Sequence, residues 1–208
     1  MNISVMSGNH MAYPLLISLA NIDAHICSKT SLHAYLLVAL LPIAKFTHKT
    51  TRVHSLLQDW LVHEALNIVL APLKTATQIG IMMSDPVGNL RYCFTPIAAW
   101  ITDTPEESLL SGTGPKVSLV TIASSKQFGN AHQHELCTAD HTLAAIHTAC
   151  SQYSPNDHIG FLKAAKWLGL NGVIDLVWTG WPLSQPCYFI TLEVLHHFFR
   201  FAWNHDIQ

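Results

Sequence analysis

Charge is what this sequence has least of. Lys, Arg, Asp and Glu make up 12% of the 208 residues, and eleven cations against thirteen anions leave a formal net charge of −2 and a pI near 6.7. That balance argues against a strong electrostatic grip on nucleic acid, which needs clustered Lys and Arg. Paired cysteine spacing is missing too. Cys27, Cys93, Cys137, Cys150 and Cys187 are scattered, odd in number and without a CxxC pair, so they read as free thiols in a reducing compartment. No basic-then-apolar leader occurs, and no continuous apolar span reaches about 18 residues; the apolar run from Tyr35 to Ala44 is too short to cross a bilayer. A soluble intracellular protein is expected. Gly112-Thr113-Gly114 lacks the Lys-Ser/Thr that would make it a phosphate-cradling loop. There is no Gly-x-Ser-x-Gly elbow, no internal repeat and no low-complexity tract.

What is present is apolar. Half of the chain is hydrophobic, enough for a sizeable core in one domain or one domain with an insertion. Tyr13 to Ala20 and His33 to Leu41 are short apolar runs whose length and bounding residues predict two buried strands. The spacing of Val53, Leu56, Leu57, Trp60, Leu61, Ala65 and Ile68 predicts a helix over Thr51 to Ala76, with Pro72 bending or ending it. Ser84 to Glu106 follows: a turn at Asp85-Pro86 and Gly88-Asn89, flanked by β-like runs over Ile79 to Met83 and Leu90 to Ile101, then Asp103 ahead of Pro105 and two glutamates. An apolar run that delivers an aspartate to its end and then turns is one way α/β folds present a metal-binding carboxylate. Buried strands also commonly end at a polar residue without any such role.

Beyond Glu106, Ser111 to Gly114 reads as a flexible linker and Val117 to Ala123 as a further strand. Helices are expected over Ala139 to Gln152 and over Ser154 to Leu168, the second capped by Ser154 with Pro155 behind it. A Gly- and Pro-punctuated loop then carries Trp178 and Trp181, and a last helix is expected from Thr191 to about His205. His132, His134, Cys137 and His141 are zinc-ligand types without paired short spacing, and a polar loop explains them equally well. Glu193 and His196 share one face of the last helix. Trp178, Trp181, Phe198, Phe199, Phe201 and Trp203 read as core rather than as a base-stacking platform, because few cations are interleaved with them.

Five blocks occur in a fixed order: AYPLLISLANI, DPVGNLRYCFTPIAAWITDTPE, SSKQFGNAHQHE, LKAAKWLGLNGV and TLEVLHHFFRFAWNHDIQ. Together they resemble the transposase of Plavaka-type fungal DNA transposons, a CACTA-like group. The resemblance implies an α/β fold with a partial RNase H-like core (strand, strand, helix, strand), a mostly helical insertion and a C-terminal core helix. The corresponding segments are 1–104, 105–190 and 191–208. It also implies DDE chemistry: two aspartates and a glutamate hold Mg²⁺ or Mn²⁺ and cut and rejoin DNA at transposon ends, in the nucleus. The family's second aspartate falls on Asp103, which would be catalytic and a metal ligand. Its acidic-x-x-His motif falls on Glu193-Val194-Leu195-His196, making Glu193 and His196 catalytic candidates.

The sequence also departs from that pattern. The first aspartate is expected just ahead of Gly8 to Pro14, where the chain starts, and the final glutamate beyond Gln208. His25-Ile26-Cys27-Ser28 stands where adjacent arginines are usual, and Phe198 and Asn204 replace polar positions of the last helix. A cysteine-rich insertion after Asp103 is absent. The expectation is therefore a truncated, catalytically inactive fragment that binds no metal and contacts DNA weakly or not at all. Two alternatives stand beside it. One is a domesticated non-catalytic protein that binds DNA or a transposase partner; the other is a hydrolase using the His132–His141 cluster.

Overall fold

The computed structural model describes the backbone of residues 2–5 and 8–192 and the side chains of residues 12–191. The chain divides into two compact units, Met1–Thr75 and Ala76–Gln208. Both mix helix and strand, as expected. The described strands form three separate small sheets rather than one continuous mixed sheet.

In the first unit, β1 (Asn2–Val5) and β3 (Leu36–Pro42) flank β2 (Gly8–Ile17), all antiparallel. Leu15 pairs with Ala39 and Leu16 with Leu37, so Val38 bulges out of the ladder. The connection holds α1 (Ala24–Cys27), capped by the Asp23 carboxylate, and a 3₁₀ turn, and the Ser18 hydroxyl donates to the Ala34 carbonyl across its base. The two expected strands are there, but their burial is not. Ala12 and Leu41 are covered, while Tyr13, Leu16, Leu36 and Leu37 are each more than half exposed. An apolar run identifies a strand; it does not say whether a second layer covers both faces.

The helix α2 (Thr51–Ile79) outlasts its expected end by three residues and runs straight through Pro72. Proline removes one N–H, and the carbonyl it strands is that of Ile68, an exposed residue that water can reach. The buried face also differs from the expected stripe. It follows Val53, Leu56, Val62, His63, Leu66 and Leu70, whereas Ile68 is 68% exposed. The imidazole of His63 lies on that face, and a stripe traced through apolar residues alone turns away from it.

The second unit opens with the end of α2 and the hairpin of β4 (Ile81–Ser84) and β5 (Leu90–Cys93). Its turn is the expected one. The Asp85 carboxylate accepts from the Val87 and Asn89 backbone N–H groups and from Arg91 Nε at 3.1 Å, with Gly88 at φ 91°. The strand expected to continue to Ile101 breaks after Cys93 and resumes as β6 (Trp100–Thr102). Pro96 lies in the gap, where it can donate to no ladder. β6 pairs in parallel with β7 (Ile190–Leu192), so Thr191 lies in a strand and does not start a helix. The remainder of the expected last helix lies outside the described residues.

Between these strands lie α3 (Thr104–Ser111), α4 (Ala139–Gln152), α5 (His158–Trp167) and the one-turn α6 (Pro186–Phe189). α4 has the expected bounds, with Thr138 as its cap. α5 starts three residues late because Asp157 takes the cap in place of Ser154, accepting from Gly160 N–H at 3.1 Å, while Ser154 closes the preceding turn. Ser111 to Gly114 is no flexible linker. Ser111 and Thr113 are buried, their hydroxyls 2.7 Å apart, and Gly114 N–H donates to the Gly169 carbonyl at 2.7 Å. Val117 to Ala123 makes isolated bridges, not a strand. Trp178 and Trp181 are core, as expected, at 2% and 7% exposure. Trp181 Nε1–H donates to Thr77 Oγ1, whose own proton goes to the Thr95 carbonyl, so one hydroxyl links the indole to the segment before β6.

Among the described residues, one buried side-chain polar atom lacks a hydrogen-bond partner: Thr179 Oγ1. Valine has the same shape without the hydroxyl, so Thr179→Val removes a desolvation cost at constant volume. We expect a gain of about 1 kcal/mol, read as a higher midpoint in urea. A lower midpoint would show that the hydroxyl has a partner in solution.

Candidate active site

Asp103 stands where β6 becomes α3. Thr102, the last strand residue, is buried, and Asp103 itself is exposed in extended backbone at φ −80°, ψ 171°. Its Oδ1 accepts from the Glu106 backbone N–H at 3.1 Å, and its carbonyl accepts from Glu107 N–H at 2.8 Å. Pro105, in the first turn, needs no intrahelical partner, and Glu106 and Glu107 put negative charge at the helix start. The pattern Asp-Thr-Pro-Glu-Glu is therefore sufficient as a helix start without any catalytic role. Asp103 Oδ2 has no hydrogen-bond partner among the described residues and is open to a ligand.

The neighbouring carboxyls are perturbed. Partial burial pushes Glu106 above the usual carboxylate range; the Thr102 hydroxyl opposes that shift, and the Asp103 charge adds to it. Burial alone lifts Glu107 from 4.5 to about 7. In the first unit, burial lifts Asp59 from 3.8 to about 6 against the pull of the Arg52 cation. For a carboxyl whose folded pKa is raised, stability is complete below the unfolded pKa and is lost as pH rises through the folded value. Unfolding midpoints should thus fall between about pH 4 and pH 7 and then level off. Glu107→Gln and Asp59→Asn should each flatten that slope. A midpoint that rises across the same window would contradict the burial of both groups.

The far end of α3 is tied into the core by residues distant in sequence. Asn171 Nδ2 donates to the carbonyls of Ser108 and Leu109 at 2.9 and 3.2 Å, and Trp178 Nε1 to that of Leu110 at 2.9 Å. Gly112 ends the helix at φ 78°, where a Cβ would come within 2.9 Å of the Leu176 methyls. The helix that carries Asp103 is thus fixed at both ends. Neither Asn171 nor the bond made by Trp178 was legible as part of this site. The only signal was an asparagine between two glycines in Leu168 to Val173.

The other candidates fall differently. Glu193 and His196 lie outside the described residues. The register pairs Thr102 with Leu192, so the chain leaves β6 and β7 at the same end of the parallel pair. The histidine cluster does not converge. His132 and His134 lie with ring centroids 4.7 Å apart and planes tilted by 52°, Cys137 is buried against the Thr142 hydroxyl at 3.5 Å, and His141 sits in the first turn of α4. Among the described residues no three His, Cys, Asp or Glu side chains are placed to hold a metal ion. None of the described helices is long and apolar enough to cross a membrane.

The described residues define a mixed α/β protein with small sheets, in which a parallel strand pair runs into a helix capped by an exposed aspartate. The particular family follows from the whole length: residues 1–208 match the model of the Plavaka transposase, and the chain belongs to that family. No curated protein and no solved structure matches it. Membership suggests a transposase, with DNA as the partner and metal-dependent activity in the intact family.

Proposed function

We propose that the chain carries part of the DDE-type, RNase H-like strand-transfer core of a Plavaka transposase, with Asp103 as one metal-binding carboxylate. The observation that carries this reading is the position of Asp103: at the C-terminal end of a strand, exposed, and with Oδ2 free while Oδ1 caps α3. The capping bond fixes the carboxylate so that its free oxygen can meet a hard cation without a further loss of side-chain freedom. Divalent cations bound there would supply activation of the attacking oxygen and neutralisation of charge at the phosphodiester. Glu193 and His196 join the site in this proposal, since Glu193 follows directly on Leu192, the partner of Thr102. Residues 105–190 form the insertion, and the intact protein acts in the nucleus.

The resemblance places one of three carboxylates in this sequence at Asp103. Glu193 and His196 are catalytic candidates and not metal ligands in this reading; a cation held by Asp103 alone keeps most of its water, so the 208-residue polypeptide alone is proposed to be silent in DNA cleavage and joining. Two measurements test this. Substoichiometric Mn²⁺ should broaden the amide resonances of Asp103 to Glu107, and Asp103→Asn should abolish the effect; broadening centred elsewhere removes Asp103 from the site. In a strand-transfer assay with Mn²⁺ the polypeptide should give no product. Product that disappears in Asp103→Asn would overturn the silence and keep the assignment.

A further inference from the structure

Asparagine followed by glycine is among the least durable pairs in a polypeptide, because glycine has no Cβ to keep its amide nitrogen from closing on the asparagine side chain. Nine asparagines occur in this sequence, and Asn171-Gly172 is the one pair of that kind. It lies in the core of the second unit, with Leu170, Asn171, Gly172 and Val173 all buried. The exposed Asn89 and Asn130 are followed by leucine and alanine instead.

Two features of the fold hold the chemistry back. Ring closure needs a base to remove the Gly172 amide proton, and a buried backbone gives hydroxide no path to it. Closure also needs the Asn171 amide to turn its carbon onto that nitrogen and release Nδ2, which is tied to the Ser108 and Leu109 carbonyls at 2.9 and 3.2 Å. The Asn171 N–H, bonded to the Gly112 carbonyl at 3.0 Å, holds the backbone on the other side. One feature favours the reaction. Val173 N–H donates to Oδ1 at 2.9 Å and so draws electron density from the carbon that would be attacked. The protecting bonds reach across the chain to α3, whereas the activating one spans two residues. Opening of the α3 junction removes the first set and can leave the second in place.

We propose that Asn171-Gly172 is a deamidation site gated by opening of the α3 junction, and that the reaction makes the opening irreversible. In the open chain hydroxide takes the Gly172 amide proton, the nitrogen attacks Asn171 Cγ, and the Cγ–Nδ2 bond breaks to release ammonia. The succinimide so formed takes up water at one of its two carbonyl carbons, and the ring C–N bond there breaks. One choice gives aspartate and the other isoaspartate; in net terms water enters, ammonia leaves and nothing is oxidised or reduced. Either product puts a carboxylate where an amide donor served two buried carbonyls, and isoaspartate also routes the backbone through Cβ. The last turn of α3 then has no way to redock. The proposal rests neither on Asp103 nor on the family reading.

The test is peptide mapping of the 208-residue protein, aged at mildly alkaline pH across a urea series, with aspartate and isoaspartate resolved at positions 171 and 130. In the unfolded chain Asn171 should react ahead of both Asn89 and Asn130. In the folded chain it should react at least about a hundred-fold more slowly than when unfolded, and its rate should rise with the open fraction in between. Asn130, exposed in the fold, should change by less than about ten-fold. Trp178→Phe removes the donor to the neighbouring Leu110 carbonyl and should speed the native-state reaction at Asn171 at least about five-fold while leaving Asn130 unchanged. The unsubstituted chain in sub-denaturing urea gives the same reading if that variant does not fold. The deamidated fraction, separated by its extra negative charge and returned to buffer, should not regain slow hydrogen exchange at the residue 171 N–H. A folded-state rate at Asn171 within about ten-fold of the unfolded one would overturn the gating, as would an unchanged rate in a folded Trp178→Phe protein. Full recovery of exchange protection by the deamidated chain would overturn the irreversible step.

Discussion

Trp178→Ala lowers the unfolding free energy of the second unit by about 3–5 kcal/mol, as expected for deleting a fully buried tryptophan. The side chain is 2% exposed, and the Leu110 carbonyl it serves belongs to a residue 1% exposed. Its loss therefore leaves both a cavity and an unsatisfied carbonyl. Against a typical domain stability of about 5–15 kcal/mol, that is a third or more of the total. Trp178→Phe separates the two contributions: most of the ring volume stays, the donor goes, and a loss of about 1–3 kcal/mol is expected. Because Leu110 closes the helix that Asp103 opens, both variants should also speed hydrogen exchange at Glu106 N–H, the group Asp103 caps. Urea unfolding of the full chain gives the first number and exchange gives the second. A Trp178→Ala protein within 1 kcal/mol of the original would mean that this indole is not a keystone of the unit.

How far the sequence led depends on the kind of signal. Elements set by local chemistry were legible: the Asp85–Gly88 turn, α4 between Thr138 and Tyr153, and the pair of runs that became β2 and β3. Elements decided by competition were not. Ser154-Pro155 and Asp157 are both helix-start signals, with the two capping residues three positions apart, and only the geometry of the preceding turn selects the second. Ser111 to Gly114 looks flexible in one dimension because its residues are small. It is rigid in three, since Leu170 and Asn171 bond to it from far along the chain. Burial was the least legible property. The face of α2 runs through His63, a polar residue, and the apolar strands of the first unit are largely exposed. At the candidate site, the strand end and the turn at Asp103 were legible because an aspartate before Thr-Pro-Glu-Glu is a local pattern. The residues that hold its helix are linked to it only through tertiary hydrogen bonds, which no spacing rule reports.

The second large effect belongs to Asn171. A helix leaves its last four carbonyls without intrahelical partners, and α3 ends inside the core, where water cannot serve them. Asn171 is 4% exposed, and one side chain meets both needs of that junction. Nδ2 donates to the carbonyls of Ser108 and Leu109, while Oδ1 accepts from Val173 N–H at 2.9 Å. The Asn171 backbone N–H adds a bond to the Gly112 carbonyl at 3.0 Å. Asn171→Ala strands buried groups on both sides and should cost about 2–4 kcal/mol. Asn171→Asp is the sharper variant. It keeps the acceptor for Val173 but aims a carboxylate oxygen at two carbonyl oxygens, so it should be worse than alanine at pH 7 and recover as the new acid is protonated. In sign terms, the aspartate's folded pKa would be raised, and stability would be lost as pH climbs through it. Since Asn171 and Trp178 serve adjacent carbonyls of one helix end, the double variant should lose less than the two single losses together, by about 0.5–3 kcal/mol. Strict additivity, or an aspartate variant no more sensitive to pH than the alanine one, would show that the two side chains act on separate parts of the fold. In that case the capped helix at Asp103 would owe its rigidity to its own first turn alone.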